Sequence, residues 1–322
     1  MKTTLKALLA ALALALAAPA DAGTLKLAHS TWVGYGPLYI ARDKGFFKEE
    51  GVDIELTIME DTPLKMGAFM AGQVDIVAST VDEFPTYLKP GKTLRYILAV
   101  DNSKGGDGIV ATKDITSVAG LKGKKVAFEQ GSVSQFFLNA LLKEAGLSQN
   151  DIEAVNMTAT DAGTAFAAKQ VDAAVTWEPA LSQGASAPHG KLLISSAEKP
   201  GLITDVVAVT GETAAAHEQE LKGLVRAWYK ALDFLAKNPD EGYAIMAKGV
   251  GGWLSKPEDF KATVSGIEYL DKAKNQAFFG TKDAHGQIYK TLQYALDIWK
   301  GFGRIQVDMK PEDVIDDRFF GG

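Results

Sequence analysis

The 322-residue chain contains no cysteine. That absence removes disulfides, thiolate nucleophiles, cysteine-ligated zinc and iron–sulfur clusters at once. Histidine is nearly as scarce: His29, His189, His217 and His285 are the four, and no two have the i, i+4 spacing of a helical ligand pair. A dedicated transition-metal site is not expected. Positive charge is also in short supply, with 34 Lys and Arg against 40 Asp and Glu and a net charge of −6. Nucleic-acid binders carry basic patches, so that partner class is set aside. Beyond the N-terminal segment no run is apolar or long enough to span a bilayer, which takes ~20 residues. There is no Gly-x-Ser-x-Gly elbow and no Walker-type phosphate loop. Gly34-Tyr35-Gly36 opens like a dinucleotide fingerprint but lacks its third glycine.

What is present starts at the N-terminus. Lys2 and Lys6 flank the start of an Ala/Leu run over 7–18, and Ala20-Asp21-Ala22 fits a small-x-small cleavage site. A signal peptide over 1–22 is expected, cut after Ala22, with the mature chain free in the periplasm. The junction has no cysteine for lipid attachment. The mature length, roughly 300 residues, can bury one large core or two of ordinary size.

Hydrophobic periodicity then alternates between two and 3.6. Strands are expected over 24–29, 52–58, 74–78, 95–100, 107–111, 125–128, 173–176, 192–195 and 205–210, with an edge strand over 156–158. Helices fall between them; 134–145 places Phe137, Leu138, Leu141 and Leu142 on one face and stops at Gly146. Short strands separated by helices predict an α/β fold with parallel sheet. From Glu212 onward only helices are expected, over 217–237, 239–248, 257–264 and 288–302.

Four stretches in order carry a resemblance: PLYIARDKGFFKEEGVDIEL, FMAGQVDIVAS, LKGKKVAFEQGSVSQFFLNALLKEAGL and FAAKQVDAAVTWEPAL. Over about 24–210 the chain resembles the nitrate, taurine and aliphatic-sulfonate class of periplasmic binding proteins, whose superfamily includes carriers of thiamine-precursor pyrimidines. The resemblance implies a two-lobed periplasmic-binding-protein fold of type II. Lobe one would be 23–106 plus 205–322, with the helical tail packed on it, and lobe two 107–204. Two hinge crossings would lie near 106–110 and 205–209. It also implies a monomeric solute-binding protein of an ABC importer, delivering its solute to a permease driven by an ATPase, with no cofactor and no catalysis. Enzymatic fold relatives in thiamine-pyrimidine synthesis resemble a cysteine-rich pattern that this chain cannot supply.

Ligands of open α/β sheets sit beyond the carboxyl ends of the strands, which selects the candidates. After the first strand come Ser30, Trp32, Gly34, Tyr35 and Gly36; glycines admit close backbone approach and the next helix aims its N-terminus there. After the third come Ser79, Thr80 and Asp82, followed by Glu83. In lobe two, Gln130, Gly131, Ser132 and Ser134 open the 134–145 helix, and Trp177 and Glu178 close a strand. Asp107 and Asp205 fall at the crossings, where a hinge role competes with facing the cleft. Each candidate has a plainer alternative: a packed aromatic, a helix N-cap or an exposed carboxylate. These loops are short of Lys and Arg, since Arg42 and Lys44 lie further along the first helix. An anion would be held by helix termini and hydroxyls, whereas Asp61, Asp82, Glu83, Asp107, Glu129, Glu178 and Asp205 favour a protonated nitrogen. Taurine or another organosulfonate is ranked first, a cationic nitrogen compound such as a pyrimidine or guanidine next, nitrate last.

Overall fold

Eleven strands fall into two separate sheets among residues 23–281 and 283–319, which this computed structural model describes. The leader expected over 1–22 lies outside the described residues. The first sheet gathers β1 (Leu25–His29), β2 (Ile54–Ile58), β3 (Ile76–Thr80), β4 (Leu94–Ser103), β10 (Thr204–Thr210) and β11 (Ile267–Tyr269). Their spatial order is β11-β4-β10-β3-β1-β2. The second gathers β5 (Asp107–Thr112), β6 (Lys125–Phe128), β7 (Glu153–Asn156), β8 (Ala173–Trp177) and β9 (Gly190–Ser195), in the order β7-β6-β8-β5-β9. Each sheet with its helices is one lobe of a periplasmic-binding-protein fold.

The sheets are mixed, which corrects the parallel expectation. β1 is parallel to β2 and β3, and β6 to β7 and β8. β10 runs antiparallel to β3 and β4, and β5 to β8 and β9. Parallel neighbours need a helical crossover within one sheet. β5 and β10 instead enter from the other lobe and are free to run the opposite way. The edge strand expected over 156–158 lies at Glu153–Asn156.

The C-terminal region is helical apart from one strand that periodicity did not show. β11 spans three residues, too few for alternation to register, and exists because β4 offers an open edge: Ile267 pairs with Ser103 and Tyr269 with Asp101. The Glu218–Lys237 helix buries Leu221, Leu224, Val225, Trp228 and Ala231 along one stripe. That stripe packs on the Gly36–Asp43 helix of the first lobe, and each large side chain so buried contributes about 1.5–3 kcal/mol. Trp228 Nε1 donates to Leu270 O at 3.2 Å. The Gln287–Gly301 helix reaches further: the Trp299 ring lies 6.2 Å from Phe136 on the Val133–Glu144 helix of the second lobe.

The chain leaves the first sheet after Ser103 and re-enters it at Thr204, and the two passages lie side by side. Ser103 N donates to Ile203 O at 3.1 Å, and the hydroxyls of Ser103 and Ser196 are 2.7 Å apart. Among the described residues no helix is long and apolar enough to cross a membrane.

Candidate functional site

Strand register brings the first polar groups together. Asp205 on β10 stands opposite Thr80 of β3 and opposite Asp101 of β4, and residues directly opposite in an antiparallel pair share a face. In the second sheet Asp107 of β5 stands opposite Trp177 of β8. These strand ends meet across the lobes in a cavity of about 340 Å³, open solvent at its mouth included.

One wall is built on a lysine. Asp61 caps the Thr62–Met70 helix by accepting from Leu64 N at 2.8 Å, and the first turn then carries Lys65 inward, only 1% exposed. Its ammonium donates to Ser30 Oγ at 2.8 Å and Ser79 Oγ at 3.1 Å. Ser79 in turn donates to Glu83, so the buried cation is balanced through a hydroxyl, as a buried charge requires. The Ser30 loop is steadied from behind by His29. Burial lowers its pKa to about 4, so the neutral ring donates from Nδ1 to Ser30 O (2.8 Å) and accepts from the Tyr39 hydroxyl at Nε2 (3.1 Å).

The opposite wall is acidic. Asp205 accepts from the Tyr35 hydroxyl, yet burial, with the charges of Asp107 and Glu83 adding to it, raises its pKa to about 8. Burial likewise raises Asp107 to about 7. Behind them Asp101 accepts from Trp32 Nε1 at 3.1 Å and is held well above the usual carboxylate range by burial and the Asp205 charge. The Lys65 charge opposes the rise at Asp205 without cancelling it. Trp32 and Trp177 line the space between the walls.

The cavity lining thus includes Ser30, Trp32, Tyr35, Ser79, Thr80, Trp177 and Asp205 of the sequence candidates. Others stand elsewhere. A Cβ on Gly34 would lie 1.8 Å from Asp101 Oδ2, and one on Gly36 2.6 Å from Met246 Sδ; both glycines permit close packing behind the wall. Asp82 is buried outside the lining, its carboxyl within reach of the Thr80 and Trp299 side chains. Ser132 caps its helix by accepting from Ser134 N at 3.1 Å. Gln130 is exposed, and Gly131 N donates to Gln135 Oε1 at 2.8 Å. Glu178 lies outside the lining and holds the first turn of the Ala180–Ser186 helix, accepting from Ser182 N at 3.1 Å and Ser182 Oγ at 2.6 Å. Five more residues line the cavity: Glu83 and Asp107, weighed in the sequence as carboxylates for a protonated nitrogen, and Thr62, Lys65 and Val133, which the sequence reading did not select. The only signal for Lys65 was its place one turn after a capping Asp. Among the described residues no group of His, Asp and Glu is placed to hold a metal ion.

Chemically, the walls offer a cation-stabilising face, two indole rings and one ammonium. The family described as NMT1/THI5 like matches residues 32–242. The taurine-binding periplasmic protein of Escherichia coli is 26% identical over 268 residues, 81% of this chain and 78% of that protein. The crystal structure of the periplasmic aliphatic sulphonate binding protein SsuA from Escherichia coli superposes with a TM-score of 0.73 at 18% identity, covering 93% of this chain and 99% of that one. The desulfurization enzyme DSZB also superposes, with a TM-score of 0.63 at 14% identity over 92% of this chain and 98% of its own. At such identities the two structures establish the fold alone.

Proposed function

The chain belongs to the NMT1/THI5-like family, and from that premise we propose that it is the solute-binding protein of an ABC importer, closing on a small solute that carries a protonated nitrogen. The observation that carries this reading is the acidic wall: Asp107 and Asp205 line the cavity, buried, with raised pKa and no ion-pair partner among the described residues. An ammonium, amidinium or guanidinium group would restore their charge, and Trp32 and Trp177 would face it with their rings. We assign lobe one to 23–106 plus 205–322 and lobe two to 107–204. The solute stabilises closure about the paired passages, a hinge movement. The closed monomer then docks, in the periplasm, on a permease whose ATPase drives import. Catalysis is not part of this reading, in line with the taurine-binding relative.

A second reading, that the same solute also bears a sulfonate as taurine does, is favoured by Lys65, whose ammonium reaches two serines and not a carboxylate. The taurine-binding relative supports it too.

A thermal-shift screen of the mature chain from Gly23 tests the proposal. Guanidine, an aminopyrimidine, simple amines and taurine form one set; urea, ethanesulfonate and nitrate form the other. A saturable rise in Tm is expected in the first set only, because a solute that binds the folded state stabilises it by mass action. A rise confined to the second set would overturn the protonated-nitrogen reading. A rise with taurine and none with simple amines or guanidine would favour the sulfonate-bearing form.

A further inference from the structure

Two glutamates cross the cleft in opposite directions. Glu83 of the first lobe accepts from Val133 N at 2.8 Å, the first residue of the Val133–Glu144 helix in the second lobe. Glu129, just past β6 in the second lobe, accepts from Thr62 N at 2.8 Å, the first residue of the Thr62–Met70 helix in the first lobe. Helix N-termini present free N–H groups and partial positive charge, which makes them ready seats for small anions. In this cleft a carboxylate from the opposite lobe sits on each.

Glu83 is also tied to the lysine through a hydroxyl. Its other oxygen accepts from Ser79, whose oxygen accepts from Lys65. A single side chain therefore occupies the helix N-terminus directly and offsets the lysine charge through Ser79. Beside it, Thr80 Oγ1 lines the same cavity, in a residue only 5% exposed, within reach of the Asp82 carboxyl behind it.

We propose that Glu83 is the resident anion of the cleft and its specificity filter: it holds the seat that sulfate, nitrate or a sulfonate would need, while Glu129 fills the reciprocal seat in the other lobe. Solutes are thereby selected by a cationic end. An anionic end, where a solute has one, is left with Lys65 and Thr80. The inference rests on the reading of the chain as a solute-binding protein and names which residue sets its charge preference.

The test removes the resident carboxylate and offers an external one. Glu83→Ala opens the seat, whereas Glu83→Gln keeps an amide on Val133 N without the charge. Sulfate, nitrate and acetate are the probes, titrated at constant ionic strength into the full mature chain and followed by Tm and by calorimetry. Glu83→Ala is expected to bind at least one of them ten-fold or more tightly than the parent, with Glu83→Gln gaining little. A folded Glu83→Ala that gains no saturable anion binding, or a parent that binds these anions equally well, overturns the filter. Should Glu83→Ala fail to fold, Glu129→Ala carries the same test in the reciprocal seat, where acetate is expected to raise its Tm saturably and the lack of any rise counts against the proposal. Loss of the filter with intact amine binding by the parent leaves the proposed function standing. A parent blind to every protonated nitrogen removes the proposed function, and the anion response of Glu83→Ala still decides the filter.

Discussion

The two walls of the cleft are made of the same material, buried polar side chains at strand ends, and differ in how their charge is balanced. On the Lys65 wall the chain supplies both signs, with ammonium, serine hydroxyl and Glu83 joined in series. On the Asp205 wall the acids have no ion-pair partner among the described residues, and burial, only partly opposed by the Lys65 charge, pushes them up to about 7 for Asp107 and about 8 for Asp205. The difference teaches where the solute enters. A wall that is already neutral positions and excludes; a wall short of a cation recruits one.

The largest expected effect comes from breaking the acidic wall. Asp205→Asn keeps an acceptor for the Tyr35 hydroxyl but removes the charge, and should weaken amine binding by about 100-fold, in line with ~2–5 kcal/mol for one partner of a buried charged pair. Isothermal titration measures it. An unchanged affinity would erase the distinction between the walls.

Changing pH titrates the same wall without mutation. A cationic solute favours the ionised acids, so binding expels their protons and affinity should rise with pH, by up to about tenfold per unit for each proton released, and level off above about 8. Without solute the sign reverses. Asp107 and Asp205 bind protons more tightly folded than unfolded, where Asp titrates near ~3.9. Their protonated forms suit the fold at low pH, and stability is lost as pH rises through about 7 and about 8. The Tm of the solute-free protein should therefore fall between pH 5 and 8, and Asp205→Asn should flatten that fall.

Trp177→Ala sharpens the comparison by leaving both walls in place and removing what lies between them. Loss of one ring over a cation costs ~1–2 kcal/mol, about tenfold in affinity. Smallest of all is Glu178→Ala. This carboxylate holds the first turn of the Ala180–Ser186 helix outside the cavity, so the change should lower stability by about 1 kcal/mol in a denaturant titration and leave solute affinity within about twofold.

The walls also differ in how well sequence shows them. Ser30, Thr80 and Trp177 sit where a strand stops, and that position is local: alternation ends, and the next polar or aromatic residue faces the strand-end cleft, whereas Asp205 sits at the start of β10, on the return from the second sheet. Lys65 sits inside a helix, where a lysine normally marks the solvated face. Its burial is set by the serines of β3 and of the loop after β1, residues remote in sequence. Glu83 and Glu129 were visible as acids near strand ends, but their reciprocal placement on the opposite lobe's helix depends on how the lobes close. The mixed sheets and β11 were hidden for a similar reason, since strand direction and edge pairing follow from the chain's return between lobes and not from any periodicity within 204–210 or 267–269.

Proton release on binding tests the recruiting wall most directly. An amine-bearing solute that raises the Tm would be titrated into the mature chain by calorimetry at pH 7.5, in two buffers of different ionisation enthalpy. The expected result is release of about one proton per solute bound, from Asp107 and Asp205 together. Proton uptake, or a heat that does not depend on the buffer, would contradict it.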